Sequence, residues 1–419
     1  LIQVKQRSQS FGALLAGRFW RGESRRRAVE EDVCMIDHSH GISPVSLVDE
    51  ERAYMLCGHV AATENFTFGS ATVGIGDAGT LIIVAAGDAL DRSCVWNADE
   101  VRLVGPAPTP VRQRLLEEPW ERDTTEVELP VHLAVRTAEG LLYLGTGSVT
   151  QAETVVQPGG NEHVLSDCAL RLHSSLSGAD LDRVRPPLPP SDLPNLGWLQ
   201  HVDDQRAAAL AQFVTGWYPA DTETVEPPSV PGPSLDLPDG LRQFYRLAQH
   251  RPRCLGAQNR VLPLSKLHTD ATGEMLVFGE ENQGCFFWKL LWTLDGPETD
   301  PTVWFSEEDE PAIAEQEPLS GFLIQFSLFE ACMGADYVAL SLRLTAEQVD
   351  RLVEALLPVP LRPFWPAAPT RFYVAPGLVL HVTDEGRGNG NGFSARAGAT
   401  HRSALVPLAG LVEWDRFDG

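Results

Sequence analysis

The 419-residue sequence predicts an α+β protein of two domains, a β-rich N-terminal one and a C-terminal one whose central β-sheet is packed by helices. Strand-like pieces dominate residues 43–179, while capped amphipathic helices punctuate the later part of the chain. Between the two regimes lies "RPPLPPSDLP" (185–194), with the proline density of a stiff, extended linker. A chain of this length with 43% hydrophobic residues fills two cores of ordinary size more readily than a single outsized one.

Residues 1–34 stand apart. The stretch "GRFWRGESRRR" concentrates positive charge in an otherwise acidic protein and shows no sustained amphipathic period, so it reads as a basic, poorly ordered segment. "FGALLAG" is interrupted too soon by Arg18 and Arg21 to serve as a secretory segment. In the domain at 35–184, alternation and β-branched content mark strands in "YMLCGHVAA", "TFGSATVGIG", "TLIIVAAG", "EVRLVG", "VELPVHLAVRT", "GLLYLGTGSV" and "VLSDCALRLH". "VRQRLLEEPWER" (111–122) breaks that pattern as a short helix or covering loop.

The second domain, 195–419, opens with "DDQRAAALAQFVTGWYP", a helix with Asp203 or Asp204 at its N-cap and a stop at Gly216. "LPDGLRQFYRLAQ" (237–249) is another, its apolar Leu241, Phe244, Tyr245 and Leu247 on one face. "VFGEENQGCFFWKL" (277–290) then sets the polar insert "GEENQG" between two alternating apolar strands. Gly279 and Gly284 are suited to positive φ, and the Asn282 and Gln283 side chains to bonding backbone groups the sheet leaves unpaired. "PLSGFLIQFSLFEACM" (318–333) has helical spacing with Ser320 as cap, and "TAEQVDRLVEALLPVPL" (345–361) a further helix capped by Thr345. Two strands, in "RFYVAPGLVLHVT" and "GFSARAG", and a helix in "HRSALVPLAGLVEW" complete the domain around the loop "EGRGNGNG".

Composition narrows the function. A net charge of -24 argues against a nucleic-acid partner, which needs clustered Lys and Arg, and is compatible with capturing something basic or with simple solubility. No apolar run reaches the roughly 18 residues of a membrane span, so no membrane partner is expected. The seven cysteines, at 34, 57, 94, 168, 254, 285 and 332, include no C-x-x-C pair, which disfavours a disulfide framework or zinc site and suits a reducing cytoplasm.

Several candidate motifs are weak. "GIGDAG" (74–79) matches G-x-G-x-x-G but is followed by strand rather than helix, so a glycine hairpin is expected there. His38 and His40 in "DHSHG" could share a metal with Asp37 or His59, yet no second cluster accompanies them, and no metal is expected. Ser148 lacks a nucleophile elbow, and His132, His163, His173 and His381 stand alone. Trp198, Trp217, Tyr218, Phe244, Trp288, Trp292 and Trp304 lack interleaved cations and are expected to build the second core, with Trp288, Trp304 and Phe322 carrying stability.

Residues 235–335 resemble the SUKH superfamily, the Smi/Knr-type proteins that include bacterial immunity proteins and fungal cell-wall regulators. The resemblance is carried by Leu237, Pro238, Leu241, Phe244 and Tyr245; by Phe278, Glu280, Asn282, Gln283, Gly284 and Trp288; by Asp300, Pro301, Val303 and Trp304; and by Leu319, Ser320, Phe322 and Leu323. It implies an α+β domain with a binding role, commonly toxin neutralisation, without catalysis or cofactor. The chain departs from the family pattern at Ala248, Gln249 and His250, where a small residue and glycine often end the first helix.

The expected function is therefore non-enzymatic immunity: occlusion of a basic toxin domain by an acidic surface. Glu280, Glu281, Glu307, Glu308, Asp309 and Glu310 are the candidate partner-binding residues, the last four from "SEEDEPAIAEQE" (306–317), read as an exposed acidic loop that also carries Glu315 and Glu317 without a compensating cation. A catalytic Glu280 and Glu281 pair, or its use with Asp300 as cation ligands, would need a bulge, since neighbours on a strand point to opposite faces. Alternatives are a regulatory scaffold that recruits a cellular partner, or an adaptor fused to an N-terminal ligand-binding or enzymatic domain.

Overall fold

A computed structural model describes residues 42–58, 63–85, 94–116, 129–156, 163–220, 237–292, 298–307, 311–364, 369–385 and 392–419. The fold is mixed α/β with several sheets, consistent with α+β. Two compact units meet in sequence between Leu188 and Pro189. "DHSHG", His59, the loop "EGRGNGNG" between its two end residues and all of "EEPWER" lie outside the described residues.

The N-terminal unit is one large sheet. Its strands are β1 (Ser46–Val48), β2 (Glu64–Phe68), β3 (Ala71–Ile75), β4 (Thr80–Ala85), β5 (Cys94–Trp96), β6 (Glu100–Ala107), β7 (Val131–Thr137), β8 (Gly140–Val156) and β9 (His163–Leu172). Their order is β2-β3-β4-β7-β8-β9-β6-β5, with β1 added to β8 and only β4 and β7 parallel. "GIGDAG" is the hairpin turn between β3 and β4, closed by the Gly76 N–H on the Gly79 carbonyl at 3.0 Å.

The continuous apolar run of β4 reflects burial on both faces. Ile82 and Val84 join Phe68, Leu103, Leu133 and Leu170 in the main core, whereas Leu81 and Ile83 meet Ala53 of α1 (Glu50–Tyr54). Val111 and Leu115, one turn apart on α2 (Thr109–Leu116), and Leu181 and Val184 of α3 (Gly178–Val184) close that main core.

In the C-terminal unit α4 (Arg206–Trp217) and α5 (Asp239–His250) precede a first sheet of β10 (Asn259–Val261), β11 (His268–Thr269), β12 (Met275–Glu281), β13 (Phe286–Leu291), β14 (Thr302–Glu307) and β15 (Ile313–Pro318). Neither Asp203 nor Asp204 caps α4. Gln205 occupies that position without a side-chain bond, and the helix runs through Gly216 to Trp217 because Phe213, Val214 and Trp217 bury the same face.

Helix α6 (Leu319–Met333) follows, apolar almost all round and therefore buried on every side. A second sheet holds β16 (Tyr337–Leu344), β17 (Leu357–Pro358), β18 (Thr370–Ala375), β19 (Leu378–Asp384), β20 (Phe393–Ala399) and β21 (Arg416–Phe417), in the order β17-β18-β19-β20-β16-β21. Helix α7 (Ala346–Glu354) lies between β16 and β17 in sequence, its start closed by the reciprocal Thr345 and Gln348 capping box. "RFYVAPGLVLHVT" is a two-strand hairpin rather than one strand, since Gly377 turns at φ +68°, and "HRSALVPLAGLVEW" forms a 3-10 turn at Arg402–Leu408 with Pro407 inside it.

Aromatic contacts tie α6 to both sheets. Phe322 meets Phe278 at 5.8 Å and Trp288 at 5.3 Å, while Phe329 meets Phe364 at 5.7 Å and His381 at 5.3 Å. Where α6 crosses β20 the residue is Gly398; a Cβ there would stand 2.6 Å from Cys332 Cα. No helix among the described residues is long and apolar enough to cross a membrane.

Candidate functional site

The polar insert between β12 and β13 is built by an acid rather than by its amides. Pairing of the two strands slips between Val277 and Gly279, and the bare Cα of Gly279 admits the Trp288 ring, whose Cε3 would lie 3.1 Å from a Cβ. Glu281, 1% exposed, folds its carboxylate back over the turn. It accepts the Gln283 N–H at 2.7 Å, the Cys285 N–H at 3.4 Å and Gln258 Nε2 at 3.4 Å. Gly284 turns the chain at φ +72°, whereas Gly279 keeps strand geometry. Asn282 and Gln283, assigned the bonding role by the sequence, are exposed, and Glu281 performs it because a carboxylate accepts several N–H donors at once. Glu281 is therefore part of the turn and not of an acidic exterior.

A second buried carboxylate faces the same neighbourhood from α6. Glu330 accepts three consecutive backbone N–H groups, those of Ala257 at 2.8 Å, Gln258 at 3.0 Å and Asn259 at 2.9 Å. Loss of water around the buried carboxyl pushes its pKa up to about 7, against the pull of those donors. Gly256, at φ +93°, lets the chain approach, since a Cβ would lie 3.0 Å from Glu330 Cγ and 2.0 Å from the Asn259 carbonyl oxygen.

The remaining acids of the region are also committed to the fold. Asp300 accepts the Ser320 N–H at 2.8 Å and its hydroxyl at 2.7 Å, so it caps α6 in place of Ser320. Glu315 and Glu317 lie in β15, not in an exposed loop, and both are buried. Trp288 Nε1 donates to Glu315 at 3.0 Å; Glu317 pairs with Arg206 at 2.8 Å and accepts the Arg362 N–H at 3.0 Å. Here is the cation the sequence did not reveal. It comes from α4, more than a hundred residues away along the chain.

Two predicted site residues remain half-exposed, Glu280 and Glu307. Register brings them to one end of the first sheet, Glu280 opposite Phe287 and Glu307 opposite Phe286. Because Phe286 and Phe287 are neighbours on β13, the two acids fall on opposite faces, their Cα atoms about 10 Å apart across two strand spacings. Glu308, Asp309 and Glu310 directly follow Glu307 but lie outside the described residues. The outward side of this sheet carries half-buried Phe287, Lys289 and Trp304, so Trp304 is not in the core where Trp288, Trp292 and Phe322 pack. Arg260 pairs opposite Glu280 on β10.

The isolated histidines are structural. His132 Nδ1 lies 2.9 Å from the Tyr143 hydroxyl, and His173 Nδ1 2.9 Å from Thr146 Oγ1. His381 is wedged between Phe329 and Phe372, opposite Arg396 on β20, with neither ring nitrogen hydrogen-bonded. Burial, and then the nearby Arg396 charge, pull its pKa down to about 3. Among the described residues no group of three or more His, Cys, Asp or Glu is placed to hold a metal ion.

Some of the residues quoted for the SUKH resemblance pack together and others, Asn282, Gln283 and Trp304 among them, do not. Leu237, Leu241, Phe244 and Tyr245 of the α5 segment, Phe278 and Trp288 of the sheet, Val303, and Leu319, Phe322 and Leu323 of α6 share a core. Pro238 precedes α5, Tyr245 donates its hydroxyl to the Leu262 carbonyl at 2.6 Å, and the Pro301 carbonyl accepts the Leu319 N–H at 2.9 Å. Compared with family models, curated proteins and solved structures, the chain matches none.

Proposed function

We propose that the chain is a non-catalytic binding protein of the immunity type, which docks a basic toxin domain on the acidic end of the first C-terminal sheet. The observation that supports this reading is the division of labour between adjacent acids. Glu281 is used up holding the turn, whereas Glu280 is half-exposed on the side of the sheet that carries Phe287 and Trp304, and three further acids follow Glu307 in sequence at the same sheet end. A catalytic pair of Glu280 and Glu281 fits poorly with that division, because one carboxylate is already saturated by N–H donors. Half-exposed Phe287 and Trp304 beside the rim supply the flat aromatic area that anchors interfaces, and the acids supply steering.

Co-purification from cells that express the chain with a candidate basic toxin, at low and high salt, tests the reading. Replacing Glu280, Glu307, Glu308, Asp309 and Glu310 by their amides should weaken capture by about tenfold or more and flatten its salt dependence. Unchanged capture and unchanged salt dependence would remove the acidic rim from the interface.

A further inference from the structure

Directly paired residues of neighbouring strands share a face, so the register of the first C-terminal sheet arranges its outer side chains in rows. One row reads Arg260, Glu280 and Phe287 across β10, β12 and β13; the next reads Val277, Lys289 and Trp304 across β12, β13 and β14. None of these six belongs to the core on the inner face, where Phe278 and Trp288 meet Phe322 of α6. The outer face leaves Glu280, Phe287, Lys289 and Trp304 half-exposed and Arg260 exposed.

Among the described residues none of the three charged side chains in these rows is in an ion pair; Lys289 acts on Asp270, in the turn between β11 and β12, through space. A chain of net charge -24 repels its own copies over most of its surface, but in these rows two cations stand against one acid. Their arrangement is also reciprocal. Glu280 and Lys289 occupy opposite corners of a four-residue cell whose other corners are Val277 and Phe287. A twofold axis laid along the Val277–Phe287 diagonal exchanges the charged corners, so that Glu280 of each copy meets Lys289 of the other. The same rotation carries Arg260 of one copy towards the Trp304 ring of the other, a pairing in which a guanidinium stacks on an aromatic face.

We propose that the outer face of this sheet pairs with the same face of a second copy of the chain, forming a twofold dimer. The dimer shares Glu280, Phe287 and Trp304 with the toxin surface proposed above but does not rest on that reading, since it needs no other protein. Strands of six or seven residues run about 20 Å, and the five strand ranks span about 24 Å, which gives on the order of 500 Å² per copy. A standard interface buries about 800 Å² per partner, so the dimer is weak and forms in the micromolar range.

Sedimentation velocity of the purified full chain, with no toxin present and at concentrations up to about 200 μM, is the test. The mean mass should rise with concentration from the monomer's towards twice that value. Lys289→Glu and Glu280→Lys each set like charges against each other across the axis, and each should weaken self-association by about tenfold or more while leaving the melting temperature of the dilute chain unchanged. An equimolar mixture of the two variants should recover dimers to within about threefold of the parent's strength, because the mixed pair restores both opposite-charge contacts. The proposal is overturned if the parent stays monomeric, if either variant alone self-associates like the parent, or if the mixture is no more dimeric than its components.

Discussion

At the β12–β13 turn the buried carboxylates of Glu281 and Glu330 each face two or three N–H donors, whereas between α6 and the second sheet His381 is buried with neither ring nitrogen bonded. Both sites bury a titratable group. The difference teaches where the unit is braced. Saturated carboxylates lock the 256–259 loop and the amide turn to α6 and so hold the end of the sheet that carries Glu280 and Glu307. The His381 seam gains no such bonds and remains a fold-level cost.

The largest expected effect breaks the braced side. Glu330→Ala removes the acceptor of three N–H groups, that of Asn259 buried and those of Ala257 and Gln258 part-buried, and should cost about 3 kcal/mol in urea unfolding, with Glu330→Gln losing less because one acceptor survives. The opposite sign is expected at the seam. His381→Phe replaces two unpaired ring nitrogens by carbon at similar volume and should stabilise by about 1 to 2 kcal/mol. A fall in melting temperature would mean that the ring is bonded in solution.

The same two residues give stability opposite dependences on pH. His381 has its pKa lowered from 6.5 to about 3, so the folded chain binds fewer protons than the unfolded one between those values. Its contribution is whole above 6.5 and is lost as pH falls towards 3. Glu330 is raised from 4.5 to about 7, so the folded chain binds more protons in that window; its contribution is whole below 4.5 and is lost as pH rises through 7. Urea unfolding from pH 4 to 8 should show His381→Phe flattening the acid limb and Glu330→Gln the alkaline limb; any other pairing of variant and limb sinks the assignment.

The smallest effect sharpens the contrast between neighbours. Glu280→Gln should change stability by less than about 0.5 kcal/mol, as expected for a surface substitution. Glu281→Gln should cost about 1 to 2 kcal/mol because a neutral amide oxygen accepts N–H groups more weakly than a carboxylate. Equal costs would place both acids in the same environment, contrary to the turn geometry.

Sequence by itself determined the elements whose signal is local. The spacing of Leu241, Phe244 and Tyr245 marked α5, Thr345 marked the start of α7, and strand chemistry after "GIGDAG" marked a hairpin. Only the tertiary structure decided what the acids do. Glu281, Glu315, Glu317 and Glu330 look like surface charge in the sequence, because their partners are backbone N–H groups, a tryptophan ring and Arg206, brought up from distant elements. Periodicity records which way a side chain points along its own strand or helix; it carries no information about which donors another element will bring to meet it, and burial of a charge depends on those donors.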